Sequence, residues 1–295
     1  MKSGTVAVVG RANAGKSTLV NVLVGEKIAI VSPKPQTTRD RIFGVLTTED
    51  YQIVFEDTPG VYKSSGELNA RMQKTAVRTA GETDVVLFVL DGHEGVREED
   101  LDLLRKFAGG GVPFVVAFTK IDIMPAERLP AELARLNGIE GISDIVPVSA
   151  RKGKNVKELL RVLLSHLEEG EYVFDPDAVS DKSEKFMIAE IMREKILLLY
   201  DKEIPHGVAV SVNRFSRREN GVYEIDLDVI CEKENHKAIL IGKQGRALKE
   251  VNAFARRDME KFLGEKVFLT VYVRVKEGWR DRPDLLKEYG YAEEK

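Results

Sequence analysis

The stretch Gly10, Arg11, Ala12, Asn13, Ala14, Gly15, Lys16, Ser17, Thr18 sets four residues between two glycines and ends on a lysine and two hydroxyls. Glycine at both ends lets the backbone turn tightly. Successive N–H groups and the first turn of a following helix can then converge on one anion. Lys16 would add a point charge for the outer phosphates of a nucleotide, and Ser17 a hydroxyl for the magnesium ion that bridges them. Further on, DTPG (57–60) ends an apolar run. There Asp57 can hold the same ion through water, and Gly60 can turn its backbone toward a terminal phosphate. PQTTRD (35–40) offers Thr37 and Thr38 as a further hydroxyl for the ion, and Thr38 is the favoured one. Lys16, Thr38 and Gly60 are therefore the catalytic candidates, and Ser17, Thr38 and Asp57 the magnesium ligands.

A phosphate loop does not select a base. FTKID (118–122) supplies Thr119, Lys120 and Asp122 after a buried-strand pattern. A carboxylate at Asp122 accepts two hydrogen bonds, which matches the ring imino and exocyclic amino groups of guanine and leaves adenine mispaired. Lys120 is expected to lay its stem along the base, and Ser149, Ala150 and Arg151 to offer backbone N–H groups to the guanine oxygen. The joint pattern points to GTP and GDP.

A second kind of chemistry sits in the other half. Ile241 precedes Gly242, Lys243, Gln244 and Gly245, a GXXG turn between two helical patterns, followed by Arg246 and Lys249. A loop without bulky side chains lets an RNA backbone approach closely, and flanking cations meet its phosphates. Residues 237–261 carry seven Lys/Arg against three Asp/Glu. Arg256, Arg257 and Lys261 fit RNA contact or a solvated helix face equally well. Ile239 and Ile241 are expected to support the groove from the core side, and Gly242→Asp is the natural test of the loop.

These residues need a scaffold. Apolar runs at 5–10, 51–60, 84–92, 113–120 and 144–150 alternate with helix-like segments at 16–25, 67–81, 97–108, 126–137 and 154–168, the signature of a parallel sheet covered on both faces. Residues 41–57 read as an antiparallel edge hairpin. Apart from Thr37 and Thr38, which lie on an irregular stretch before the hairpin, the nucleotide-site candidates follow strand ends, as open α/β sheets require. Acidic, aperiodic residues around Pro176 read as a linker at 171–183, dividing a nucleotide domain (1–170) from a second domain (184–295) of order α-β-β-α-α-β with a C-terminal tail. Along its first helix Met187, Ile191 and Leu198 are expected in the core.

Composition narrows the classes. The 295 residues suit two domains, and a net charge of −3 gives no global field for nucleic acid, so RNA binding must be local. One cysteine, Cys231, permits no internal disulfide, and the four histidines form no ligand set. No apolar run spans a bilayer and no export leader is visible, so a cytoplasmic location is expected.

GRANAGKS, QTTRDRI, DTPGV, TKID and SAR together resemble the translation-factor-like branch of GTPases, and specifically the Era family, with the likeness running to the carboxyl terminus. The resemblance implies a Ras-like P-loop domain followed by a type II KH domain. It implies a monomeric, magnesium-dependent GTPase that binds the 3′ end of 16S ribosomal RNA and acts in maturation of the small ribosomal subunit. It further implies potassium beside the phosphates at Asn13. Thr119 departs from the family's usual asparagine. Val61, where Ras-like enzymes carry a water-orienting glutamine, implies slow intrinsic hydrolysis. An alternative gives the second domain to a protein partner or to peripheral contact with the inner membrane in cell-cycle signalling, although no amphipathic anchor or lipid motif supports it.

Overall fold

Val85–Asp91 is buried at every position, which is why its sequence shows no alternation: a strand covered on both faces reads as one continuous apolar run. In the computed structural model, which describes residues 1–60, 67–202 and 204–291, this strand lies inside a six-stranded sheet. Along the chain come β1 (Lys2–Val9), α1 (Lys16–Val24), β2 (Ile42–Thr47), β3 (Tyr51–Asp57), α2 (Glu67–Gly81), β4 (Val85–Asp91), α3 (Glu98–Ala108), β5 (Phe114–Thr119), α4 (Leu129–Asn137), β6 (Asp144–Pro147) and α5 (Val156–His166). The sheet order is β2-β3-β1-β4-β5-β6. Of its pairs, β2–β3 alone is antiparallel, the expected edge hairpin. Phe88, Phe107 and Phe114 meet with ring centroids 6.0–6.4 Å apart on one face of the sheet. The loops after β1, β3 and β5 leave the carboxyl ends of these strands, so the phosphate, ion and base candidates share one rim.

The chain divides into two compact units. The second begins at Lys182 and also takes in short segments of the first half, among them Ser32–Thr37. It comprises α6 (Glu184–Leu199), β7 (Ala209–Arg217), β8 (Tyr223–Cys231), α7 (Glu234–Ile241), α8 (Arg246–Leu263), β9 (Val267–Val275) and α9 (Pro283–Glu288). β7 and β8 are antiparallel and β8 and β9 parallel. Ile188, Ile191 and Ile196 of α6, Leu240 of α7, and Val251 and Met259 of α8 pack with Ile225, Leu227 and Val229 of β8 in one cluster. Ser183 caps α6 by accepting from the Phe186 N–H, the N-cap role that favours serine.

Three expectations change. The stretch read as a linker is a strap on the first unit. Val45 N–H donates to the Val179 carbonyl at 2.9 Å, Gly44 and Ser180 form an antiparallel bridge, and Phe43 and Phe174 rings stand 5.8 Å apart. Fully buried Gln52 accepts from the Val173 and Phe174 N–H groups at 2.8 and 2.9 Å. Leu198 is 46% exposed and Leu197 fully buried, because the core stripe of α6 passes one residue earlier. Ile239 is 51% exposed, and Leu240 takes the core position instead. Trp279 is fully buried, donates to the Gly207 carbonyl at 3.0 Å, and stacks on Tyr291 at 5.9 Å.

Candidate functional site

The turn after β1 is built by backbone angles that few side chains adopt. Gly10 sits at φ 143°, Asn13 at 64° and Gly15 at 98°. A Cβ on Gly10 would lie 2.3 Å from the Val89 carbonyl oxygen, so the loop passes β4 only as glycine. Gly15 is the N-cap of α1, which has no side-chain cap and no acidic residue in its first turn. The helix N–H groups and dipole are therefore left for an anion.

Lys16 is 5% exposed and donates to the Gly10 and Arg11 carbonyls at 3.1 and 2.9 Å. Ser17 donates to Asp57 Oδ2 at 2.7 Å. Its oxygen lies 2.8 Å from Thr38 Oγ1, which reaches the same carboxylate oxygen at 3.4 Å. Three oxygen donors from three separate segments thus meet at one point. Thr37 turns away to the Lys34 carbonyl at 2.6 Å, so Thr38 is the hydroxyl the fold delivers. Among the described residues the Asp57 Oδ1 atom is buried without a hydrogen-bond partner. An all-oxygen set with one orphaned carboxylate oxygen fits magnesium, a hard cation that prefers a few protein oxygens.

The electrostatics agree. Burial pulls the Lys16 ammonium down to about 8, against the opposing field of Asp57. Burial pushes the Asp57 carboxyl up to about 6, against Lys16 and the hydroxyls of Ser17 and Thr38. Each buried charge is short of compensation from the protein alone, the condition under which a polyanion and a cation bind well.

At the other end of the rim Gly15, Thr18, Thr119, Lys120, Asp122, Ile123, Ala150 and Arg151 line a cavity of about 170 Å³. A hydrogen bond from Ser149 holds the Asp122 carboxyl below its usual range, helped by Arg151 and Lys152, so it stays an ionised double acceptor. The Lys120 ammonium is tied to the Asn13 carbonyl at 2.7 Å and to Asp91 at 2.6 Å. Thr119 Oγ1 lies 2.7 Å from the Ala14 carbonyl and 3.0 Å from that of Leu90. In this chain threonine therefore braces the loop after β1 against the ends of β4 and β5.

Not every candidate side chain points inward. The Arg11 guanidinium leaves the loop for Asp100 at 2.5 Å and Glu94 at 3.3 Å, so Arg11 offers the site its backbone. A Cβ on Gly60 would stand 2.7 Å from the Ala12 Cα; this glycine packs against the phosphate loop. Val61 lies outside the described residues. Asp91 and Ile123 escaped the sequence reading. The signals available were an aspartate ending the β4 run and an apolar residue directly after Asp122.

In the second unit Gly242, Gln244 and Gly245 have φ of 69°, 54° and 74°. Lys243, Gln244, Arg246 and Lys249 carry the turn and the start of α8; Lys243, Gln244 and Lys249 are exposed or half-exposed, and Ile241 is half-buried. A Cβ on Gly242 would lie 2.6 Å from the Ala247 Cβ, so Gly242→Asp would disturb the fold as well as the loop. Arg256, Arg257 and Lys261 are exposed along α8.

A glycine-bracketed loop at a helix N-terminus, three oxygens meeting at one point and an ionised carboxylate beside a cavity, all on a mostly parallel sheet, fit a P-loop GTPase, here joined to a KH-type unit. Family models described as 50S ribosome-binding GTPase and as KH domain match residues 5–120 and 203–280. The chain is 43% identical over 291 residues, 99% of each chain, to GTPase Era of Clostridium kluyveri. It is 44% identical over 290 residues, 98% of each, to that of Clostridium acetobutylicum. Two crystal structures superpose on it, one of Era with MgGDPNP and nucleotides 1506–1542 of 16S ribosomal RNA, the other of a point variant of Aquifex aeolicus Era bound to GDP.AlF4-. Each has a TM-score of 0.95 at 38% identity and covers 99% of this chain and 100% of its own. The chain belongs to the Era family of GTPases.

Proposed function

We propose that this GTPase binds the 3′ end of 16S ribosomal RNA through its KH unit and acts in assembly and maturation of the small ribosomal subunit. The meeting of Ser17, Thr38 and Asp57 carries the switch half of the reading. The RNA half draws on the Lys243–Gln244 turn and on the relative solved with nucleotides 1506–1542 of that RNA.

In the proposed mechanism the Gly10–Gly15 backbone and the α1 N-terminus cradle the phosphates, and Lys16 pairs with the outer ones. Ser17, Thr38 and Asp57 would hold magnesium, which when bound neutralises phosphate charge. Gly60 brings its backbone beside Ala12, within reach of the terminal phosphate. Thr38 and Gly60 thus sense whether that phosphate is present, and their loops relax on its loss. Asp122, steadied by Ser149, selects guanine, while Lys120 and the Ala150–Arg151 backbone frame the base. GTP is further proposed to order residues 32–42 and to favour the RNA-competent arrangement of the KH groove.

The RNA half is tested by Lys243→Asp with Gln244→Asp. Both side chains reach solvent, and aspartate tolerates the left-handed angle at 244. Affinity for the 3′-terminal 16S oligonucleotide is expected to fall about tenfold or more, since two acidic groups replace a cation beside the phosphates. Guanine-nucleotide affinity should stay the same. Unchanged RNA affinity in filter binding would refute this half.

Potassium is proposed to act beside Asn13, whose exposed side chain sits at the loop's rim. A monovalent cation there would offset the charge that develops on the phosphates, the task an arginine finger performs elsewhere. Hydrolysis is expected to run faster in potassium than in sodium chloride at equal ionic strength. Equal rates would remove the ion from the mechanism.

A further inference from the structure

Thr38 follows directly in the chain on Ser32–Thr37, a segment that clusters with the second unit. Arg193 of α6 is what grips it. This guanidinium is 1% exposed and forms a two-point ion pair with Glu190, one turn earlier, through Nε to Oε1 at 2.7 Å and Nη2 to Oε2. Its outer nitrogens also donate to consecutive main-chain carbonyls, Nη1 to Gln36 at 3.2 Å and Nη2 to Thr37. Gln36 lies at φ 61°, a backbone state that costs free energy unless its surroundings impose it. A planar fork across two successive carbonyls fixes both peptide planes, which a flexible ammonium does not do.

A second tether holds the same segment. Lys34 Nζ bonds Asp201 at 2.9 Å and the Tyr200 carbonyl. Tyr200 in turn donates its hydroxyl to the Leu240 carbonyl at 2.7 Å, two residues before Gly242.

We propose that Arg193 is a positioning residue for magnesium-dependent GTP binding: by holding the Gln36 and Thr37 carbonyls, with Lys34 as a second tether, it sets the peptide that presents the Thr38 hydroxyl. The proposal rests on the reading of Thr38 as an ion ligand in the triphosphate state. GDP, which lacks the terminal phosphate, makes no demand on Thr38. Arg193 therefore acts on one nucleotide and not on the other, a signature that a purely structural role lacks.

The test uses the full chain as Arg193→Lys, Lys34→Ala and Thr38→Ala, with fluorescent GDP and a fluorescent non-hydrolysable GTP analogue titrated at several magnesium concentrations. Arg193→Lys is expected to weaken the analogue about tenfold, the worth of one charged hydrogen bond, and to leave GDP within about twofold. Lys34→Ala is expected to shift the analogue alone, about threefold, as a partly exposed tether should. Equal weakening of GDP and analogue by Arg193→Lys, or no change in either variant, overturns the proposal. Should Arg193→Lys fail to fold, Lys34→Ala decides by the same comparison. Thr38→Ala separates the two layers. If it leaves the magnesium dependence of analogue binding unchanged, the reading of Thr38 fails and takes the proposal with it. If it weakens that dependence while Arg193→Lys does not alter it, only the role of Arg193 fails.

Discussion

Asp122→Asn should exchange guanine for xanthine as the preferred base. In the proposed site the carboxylate would present two acceptors to two guanine donors. An amide replaces one acceptor with a donor, so one guanine N–H faces another N–H with no water between them. Xanthine carries an oxygen where guanine carries the amino group and restores the match. Sites built around buried polar pairs reject mispaired ligands strongly, and a loss of roughly a hundredfold in guanine-nucleotide affinity is expected, with a gain for xanthosine nucleotides. Asp122 is exposed in the protein and Ser149 can still donate to the amide oxygen, so thermal stability should not move. Calorimetric titration with both nucleotide families measures this, and an undiminished preference for guanine would place base selection elsewhere.

Lys16→Ala should separate binding from stability in a way few core substitutions do. Its ammonium is buried and held only at about 8 against a usual 10.5. A lysine whose pKa falls on folding destabilises the fold wherever it is charged, and this cost fades only as the pH rises through that folded value. Removing it at neutral pH is therefore expected to leave the melting temperature unchanged or raised. Nucleotide binding should fall by roughly two to three orders of magnitude, since the phosphates lose the buried cation of this loop. A variant that melts early, or one that keeps its affinity for GTP, would contradict the role given to this side chain.

The candidate nucleotide site was legible because its pattern is local. GRANAGKS, DTPG and TKID each hold their candidate residues within a few consecutive positions after a strand, and the sheet brings those ends together whatever lies between. The contacts that make the site rigid were not legible in the same way. Nothing in the spacing of Arg11 and Asp100 indicates that they meet, and Thr119 reads as a departure from its family until its oxygen is seen between the Ala14 and Leu90 carbonyls. Helix faces failed by one residue at Leu198 and Ile239, since apolar neighbours at 197 and 240 compete for the same core position and only packing decides between them. Arg193 was invisible for a different reason. A cation on an amphipathic helix reads as solvated surface, and its partners include main-chain carbonyls that no sequence pattern records.

The strap over β2 has a practical meaning for anyone dividing this chain. An open strand rim is a template for pairing with other molecules, and here residues 173–181 hem that rim with main-chain and glutamine contacts. The composition break near residue 170 is thus the wrong place to cut. A fragment ending there would bare the border of its own sheet and invite self-association, whereas one ending at Asp181 would keep its selvage.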